Sequence, residues 1–205
     1  MIDFSCTGCG ERFSVPDNAA NRNVRCKKCG KQLIIPAPKA AAPVAPGMTP
    51  MRLRRLKSDH EQMRRAFSKW PHIRVESTVG DPPETYVLEY TVRGLEKVPK
   101  VKDPVPREKH RVEVQLVSEY PRVGPKCRML TPIYHPNIDP ATICVGDHWT
   151  AGERLVDLVV RIGEMIAYQS YNIQSPLNGE AAMWTDLNTK SLPIDPRTIR
   201  PPEMG

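Results

Sequence analysis

The sequence predicts an α+β domain: an amphipathic helix, an antiparallel four-stranded meander sheet and then C-terminal helices, preceded by a small cysteine-bearing module. Three observations predict it. Apolar residues recur at spacings of three and four over 53–70 and again over 155–166, the period of a helix face. Between them, short stretches alternate apolar and polar residues, the period of a strand. The two kinds of element come in blocks rather than in turn, which argues for α+β over a parallel α/β fold. A chain of 205 residues has room for one ordinary domain and one small one.

The first 36 residues read as a zinc ribbon. Cys6 and Cys9 form one C-x-x-C pair and Cys26 and Cys29 another, with sixteen residues between the pairs, a spacing suited to a four-cysteine tetrahedral site. A glycine follows each pair (Gly10, Gly30), where the backbone must turn tightly for both sulfurs to reach one ion. Leu33, Ile34 and Ile35 form a strand-like run. So small a module cannot bury enough surface to fold alone, so a structural zinc ion is expected to supply its stability. The pattern also resembles the short zinc ribbon at the N-termini of many bacterial proteins. Residues 37–50 are mostly Ala and Pro, a linker with polyproline II bias that spans up to about 43 Å.

The expected domain occupies 51–191. Leu53, Leu56, His60, Met63, Phe67 and Trp70 share a helix face, which Pro71 ends. Strands follow at Ile73, Val75 and Ser77, at Tyr86, Leu88, Tyr90 and Val92, at Val112, Val114 and Leu116, and over 127–131; the charged stretch 96–109 reads as a loop. Thr150 and Glu153 read as a capping box before a helix with Leu155, Leu158, Val159, Ile162 and Ile166 on one stripe. A third helix opens near Asn178. Four prolines fall between 192 and 205, and that segment reads as a tail.

Composition and charge exclude several classes. The chain is 40% hydrophobic and 26% charged, unlike a disordered segment. Its net charge of +7 invites a nucleic-acid partner, but the excess is local: residues 51–69 carry seven basic groups against two acidic ones. A basic helix face suits an acidic protein equally well. No stretch approaches 18 apolar residues, the N-terminus has neither the basic nor the apolar part of a signal peptide, and no lipidation motif is present, so a cytoplasmic protein without membrane attachment is expected. Six cysteines fit that compartment if they serve purposes other than disulfides.

The stretch from Tyr134 through His135, Pro136, Asn137 and Ile138 to Ile143, Cys144 and Val145 carries the chemistry. With Tyr120-Pro121 and Thr131-Pro-Ile-Tyr134 upstream, Trp149 and a helix downstream, and a loop ending in Ser175, Pro176 and Leu177, it resembles the catalytic domain of ubiquitin-conjugating enzymes over about 51–188. The resemblance implies that Cys144 carries a ubiquitin-like modifier as a thioester. The modifier would arrive from an activating enzyme and leave for a lysine or other nucleophile of a protein substrate, with or without a ligase. A thiol suits this relay because the thiolate is the nucleophile and a thioester remains reactive toward amines. By the same resemblance Asn137 either donates to the oxyanion formed during transfer or holds its loop, His135 orders that loop, and Ser175 occupies a gate position. The basic helix residues Arg52, Arg54, Arg55, Arg64 and Arg65 are the candidate surface for the activating enzyme. No phosphate-cradling Gly-rich loop is present, so no ATP is expected on this chain.

Asp147 and His148 stand close enough to Cys144 to tune it, or are ordinary loop residues; Cys127, in a strand, reads as a small buried hydrophobe. The gaps from Asn137 to Cys144 and from Cys144 to Trp149 are short for the family and the tail replaces a longer helical region, which points to a cut-down rim and a bacterial relative. Three rivals remain. A binding scaffold of the same fold is disfavoured by the presence of Cys144 and Asn137. A cysteine hydrolase assembles Cys, His and Asn from distant segments, whereas here they fall within ten residues. A zinc-ribbon nucleic-acid binder is weakened by modest charge and few aromatic residues.

Overall fold

The computed structural model describes residues 2–16, 19, 22–36, 49–145 and 149–202. It divides into two compact units, Met1–Gly47 and Met48–Gly205. Most of the linker expected over 37–50, and the Asp147 and His148 weighed beside Cys144, lie outside the described residues.

The smaller unit is two antiparallel hairpins, β1 (Ile2–Ser5) with β2 (Arg12–Val15) and β3 (Asn23–Arg25) with β4 (Gln32–Ile34). Each turn is a C-x-x-C knuckle built alike. The Gly10 amide donates to the Cys6 carbonyl at 2.9 Å and Cys6 to Glu11 at 2.8 Å; Gly30 and Cys26 repeat the pattern at 2.9 Å each. Gly10 and Gly30 both sit at left-handed φ, +74° and +70°, which a Cβ would penalise. Beyond the cysteines Ile2, Leu33 and Ile35 are buried, and Phe4, Phe13 and Val24 pack partly buried against the cysteine cluster.

In the larger unit, α1 (Pro50–Phe67) opens on Thr49, whose Oγ1 accepts from the Arg52 amide at 3.2 Å, with Pro50 in the first turn. It buries Leu56, Met63 and Phe67 as the spacing predicts, and also Arg52 and Asp59, which the spacing did not reveal. The helix ends at Phe67. Trp70 lies beyond it, still packed on the core, with its indole N–H donating to the Ile199 carbonyl at 2.8 Å.

Strands β5 (Ile73–Gly80), β6 (Pro83–Glu96), β7 (Val105–Gln115) and β8 (Lys126–Met129) form the antiparallel meander in that order. Tyr86, Leu88, Tyr90, Val92, Val112 and Val114 are fully buried on the face predicted for them. The stretch 96–109 is only half a loop: residues 105–109 pair with 91–96. Cross-strand ion pairs, Arg107 with Glu96 at 2.6 Å and Arg93 with Glu108 at 3.1 Å, let a charged, proline-containing segment continue the strand. A short hairpin, β9 (Ile138–Asp139) and β10 (Thr142–Ile143), follows.

Helix α2 (Leu155–Ile166) buries its predicted stripe and most of its other faces, and the Tyr90 hydroxyl donates to the Val159 carbonyl at 3.0 Å. The capping box expected at Thr150 and Glu153 is replaced by a turn in which the Glu153 amide donates to the Thr150 carbonyl at 3.0 Å. Arg55 explains this. Its guanidinium takes the Ala151 carbonyl at 2.6 Å and also the Glu153 carbonyl, so that backbone is held outside the helix, and α2 starts after Arg154 without a side-chain cap. Helix α3 (Gly179–Leu187) opens as predicted on Asn178, whose Oδ1 accepts from Ala181 at 3.0 Å.

The segment from Leu192, read above as a tail, lies packed on this unit through residue 202. Ile199 is buried in the main core against Gly163, where a Cβ would come within 2.6 Å of it. Asp195 is buried, accepting from the Arg93 amide at 2.7 Å and from the Arg197 guanidinium. Gln169 fastens the strap by donating to the carbonyls of Asp195 and Arg197 at 2.6 and 2.7 Å.

Candidate active site and candidate metal centre

The β9–β10 hairpin brings the candidate residues together. Its turn is Pro140 and Ala141, tightened by the Asp139 carboxylate accepting from the Ala141 amide at 2.9 Å. That compact turn accounts for the short gap between Asn137 and Cys144. With Ile138 paired to Ile143, the Cys144 amide reaches the Asn137 carbonyl at 3.1 Å. Cys144 is half-buried and faces a cleft of about 150 Å³ lined also by Asn137, Arg161, Asn172 and Ser175.

Asn137 is a hub of loop closure. Its Nδ2 donates to the carbonyls of Asn172 at 2.7 Å and Ser175 at 3.3 Å, and its Oδ1 accepts from the Asn172 amide at 2.6 Å. The Pro136 carbonyl next to it accepts from the amides of Leu177 and Asn178 at 2.8 and 2.9 Å. The loop bearing Ser175 is thereby laced to the turn before the thiol. Asn172 and Asn178 were not singled out as site residues; nothing in the spacing marks them, because their partners lie some forty residues upstream.

His135 is fully enclosed, edge-on to Tyr168 with ring centroids 4.8 Å apart. Its Nδ1 accepts from the Asn137 amide at 3.1 Å. Burial pushes its pKa down to about 3, against a smaller opposing effect of the Ser170 backbone. At neutral pH it is an uncharged acceptor ordering the turn, not a base. Tyr168 completes this shell, its hydroxyl donating to the Tyr134 carbonyl at 2.6 Å. Ser175 is exposed on the cleft rim. Cys127 is buried away from solvent, and that burial raises its pKa to about 12, so little thiolate forms there.

The five candidate partner-binding arginines divide. Arg52 turns inward to Glu84 at 2.7 Å and to the Val117 carbonyl at 3.1 Å. Arg55 reaches the buried Asp59 at 2.8 Å and the Tyr120 hydroxyl at 3.0 Å. Arg54, Arg64 and Arg65 are exposed. Arg64 and Arg65, with Lys57 and Arg74, line a larger cleft of about 790 Å³ between α1 and the β5–β6 turn. That cleft has no thiol among its lining residues, whereas the smaller one has Cys144.

In the smaller unit the four cysteine sulfurs lie within 4.8 Å of one another, with Cys6 to Cys29 and Cys9 to Cys26 each at 3.6 Å. Four thiolates at such separations fit one tetrahedral ion, since Zn–S bonds of about 2.3 Å place sulfurs slightly under 4 Å apart. The Gly8 amide donates to Cys6 Sγ at 3.3 Å and holds that thiol down to about 6, against burial. The donor set and its closeness fit a metal such as zinc.

Comparison with known proteins accords with this geometry. A sequence model described as ubiquitin-conjugating enzyme matches residues 61–192. The NEDD8-conjugating enzyme ubc12 of Schizosaccharomyces pombe is 30% identical over 144 residues, 67% of this chain and 72% of that one. Ubiquitin-conjugating enzyme E2 N of Macaca fascicularis is 33% identical over 79 residues, 36% of this chain and 51% of that one. A probable ubiquitin-conjugating enzyme of Acanthamoeba polyphaga mimivirus is 30% identical over 76 residues, 35% of this chain and 47% of that one. The alignments thus span about half the length of the latter two relatives. These sources are eukaryotic and viral, and lend the expected bacterial origin no support. A solved structure titled "Novel Ubiquitin-Conjugating Enzyme" superposes with a TM-score of 0.50 at 17% identity, covering 69% of this chain and 88% of that one, which speaks to the fold alone. With the family model matched across the meander, the hairpin, the cleft and both following helices, the chain belongs to the ubiquitin-conjugating enzyme family.

Proposed function

We propose that Cys144 accepts the C-terminal acyl group of a ubiquitin-like modifier from an activating enzyme, holds it as a thioester, and yields it to a lysine or another nucleophile of a protein substrate. One observation carries this reading. A half-buried thiol lines a cleft together with Ser175, whose loop is fastened to the turn just before the thiol through Asn137. In such a site a nucleophile can approach the sulfur from solvent, while the rim stays fixed during two successive exchanges. His135 serves as a neutral strut for the turn. The exposed Arg54, Arg64 and Arg65 attract an acidic activating enzyme, whereas Arg52 and Arg55 hold the fold together. A ligase engages the same family surface where a substrate requires it.

The four cysteines of the smaller unit hold a structural zinc ion in this reading, and ATP is used by the activating enzyme rather than by this chain. Six cysteines without a disulfide suit the reducing cytoplasm. Among the described residues no helix is long and apolar enough to cross a membrane.

The test is a charging assay with the cognate activating enzyme, modifier and ATP. The wild-type chain forms an adduct that a reducing agent removes. Cys144→Ser replaces it with a reductant-resistant ester or abolishes it, and Cys127→Ser leaves it intact. An adduct that persists in Cys144→Ser and maps to Cys127 would refute the assignment of the site, and no adduct at all would refute the transferase. A scaffold would bind the modifier without reacting, and a hydrolase would release it without accumulating an adduct.

A further inference from the structure

Acyl transfer needs a hydrogen-bond donor beside the sulfur when the acyl oxygen becomes negative. The residue that the family resemblance nominates is otherwise engaged. Both Nδ2 protons of Asn137 are given to backbone carbonyls of the 172–175 loop, at 2.7 and 3.3 Å. Turning either proton toward the thiol would open the loop that forms the cleft.

A second donor lines the same cleft. On α2 only Asp157, Arg161 and Glu164 escape full burial. Asp157 is paired outward with Arg154 and Arg200, and Arg161 shares the cleft wall with Cys144, Asn137 and Ser175. Its Nη1 stands 2.9 Å from the Glu153 carboxylate, an ion pair at one edge of the guanidinium. Its Nη2 is enclosed and, among the described residues, has no hydrogen-bond partner. The charge is also felt at Cys127 on β8, where it opposes the effect of burial. The guanidinium therefore lies on the side of the helix that faces β8 and the cleft. An enclosed guanidinium N–H without an acceptor is costly to maintain, and an arginine stays charged at any working pH. A fixed charge with a spare donor is suited to an oxygen that arrives with the substrate, and the part-exposed Arg161 side chain can turn Nη2 out of its enclosure to meet it.

We infer that Arg161 is a catalytic residue whose Nη2 donates to the acyl oxygen of the group carried on Cys144. This rests on the transferase reading above and adds to it the source of oxyanion stabilisation. In the step concerned, the neutral amine nitrogen bonds to the acyl carbon and the carbonyl π pair moves onto oxygen, where Arg161 meets it. Collapse re-forms the carbonyl and breaks the C–S bond. The pair leaves on Cys144, and the proton lost by nitrogen passes through water to the thiolate. The substrate class is a peptide acyl group ending in glycine, unbranched at its α-carbon and so able to enter a cleft of this size.

The experiment uses the full chain and a small probe, the mercaptoethanesulfonate thioester of N-acetylglycylglycine carrying ¹³C at its terminal carbonyl. Transfer to Cys144 is located by peptide mass spectrometry. The acyl-protein is then isolated, its ¹³C=O stretch recorded in the infrared, and its discharge to free lysine timed. Arg161→Met is expected to acylate at Cys144 but to discharge on the order of 10²-fold more slowly. Its carbonyl band should move to higher wavenumber, because a donor to the oxygen has been lost. Arg161→Lys, which keeps the charge on a different donor geometry, should fall between the two on both readouts. A purely structural role would change the thermal midpoint without moving the band. Wild-type discharge with an unmoved band in Arg161→Met, Cys144 still being acylated, overturns the inference and leaves the transferase reading standing. Failure of wild-type Cys144 to accept the probe strikes the transferase reading and the inference with it. If Arg161→Met does not melt cooperatively, the band and rate of Arg161→Lys decide in the same sense.

Discussion

A histidine enclosed by Tyr168 and by its own turn can gain a proton only by placing an unsolvated charge in the interior, and His135 shares this position with His110. Burial holds His135 down at about 3 and His110 at about 4; for His110 this outweighs the hydrogen bond between its Nε2 and the Arg107 carbonyl at 2.9 Å. Unfolding returns both to the ordinary value of about 6.5. The unfolded chain therefore binds more protons than the folded one between those limits. Stability from the two neutral imidazoles is complete above about pH 6.5 and is lost as the pH falls toward 4 and then 3. Each contributes a slope of up to about 1.4 kcal/mol per pH unit inside its window. Asp195, whose carboxyl is held well below the usual range chiefly by Arg197, loses its contribution only below that window. Urea titrations followed by tryptophan fluorescence should show close to two protons taken up on unfolding near pH 5.5. A midpoint that is flat between pH 7 and 5 would contradict the buried, neutral state of these rings. At this scale the sequence was legible where a residue's role is local. Cys144 and His135 declare themselves by the triplet beside the thiol. Arg161 and Asn172 do not, since the cleft they line is assembled from segments far apart in sequence, although a single cation in a mostly apolar helix was a signal available to be read.

Elements were legible where periodicity alone decides them and obscure where a side chain from elsewhere takes over the backbone. The meander and the Asn178 cap follow from alternation and from one polar residue before a helical turn. The start of α2 does not, because Arg55 claims the carbonyls of Ala151 and Glu153. The early start of β7 was hidden for a related reason: its charges look like a loop until Glu96 and Arg93 stand opposite them. Arg55 belongs to a buried network with Asp59, which is 1% exposed, and with Tyr120, whose hydroxyl donates to Asp59. The network joins α1 to the approach of α2. Removing one member leaves an unpaired charge in the interior, so Asp59→Ala should cost about 3–5 kcal/mol in urea unfolding. Glu61→Ala, at an exposed i,i+4 pair with Arg65 at 3.4 Å, should cost under about 0.5 kcal/mol. Equal losses for the two variants would show that the network adds nothing beyond helix propensity.

The whole molecule combines two units that reach stability by different routes. The larger has an apolar core drawn from α1, the sheet and α2, and closed by Ile199 from the C-terminal strap. A reading by composition missed that closure, because four prolines in fourteen residues look like a free end. The prolines instead stiffen a strap that needs no ladder of backbone bonds, while Ile199 and Asp195 give it the buried anchors that composition does not count. The smaller unit has only a slight apolar core apart from its cysteines, with Ile2, Leu33 and Ile35 buried. Its four sulfurs, within 4.8 Å of one another, repel if they ionise together without a cation, so a metal held there would supply folding free energy. The two units should therefore part company under chelation. With about one zinc ion per chain at the outset, a strong chelator at neutral pH should collapse the amide dispersion of residues 2–36 in a heteronuclear NMR spectrum. The resonances of residues 49–202 should keep their positions, and the melting of the larger unit should keep its midpoint. Cys26→Ser should reproduce the spectrum of the chelated protein without any chelator, since three thiolates and a water hold zinc less firmly than four thiolates. Loss of dispersion throughout the chain would mean that the larger unit draws on the metal too. Retention of the 2–36 pattern in metal-free protein would mean that its few apolar contacts suffice, against the arithmetic of so small a core.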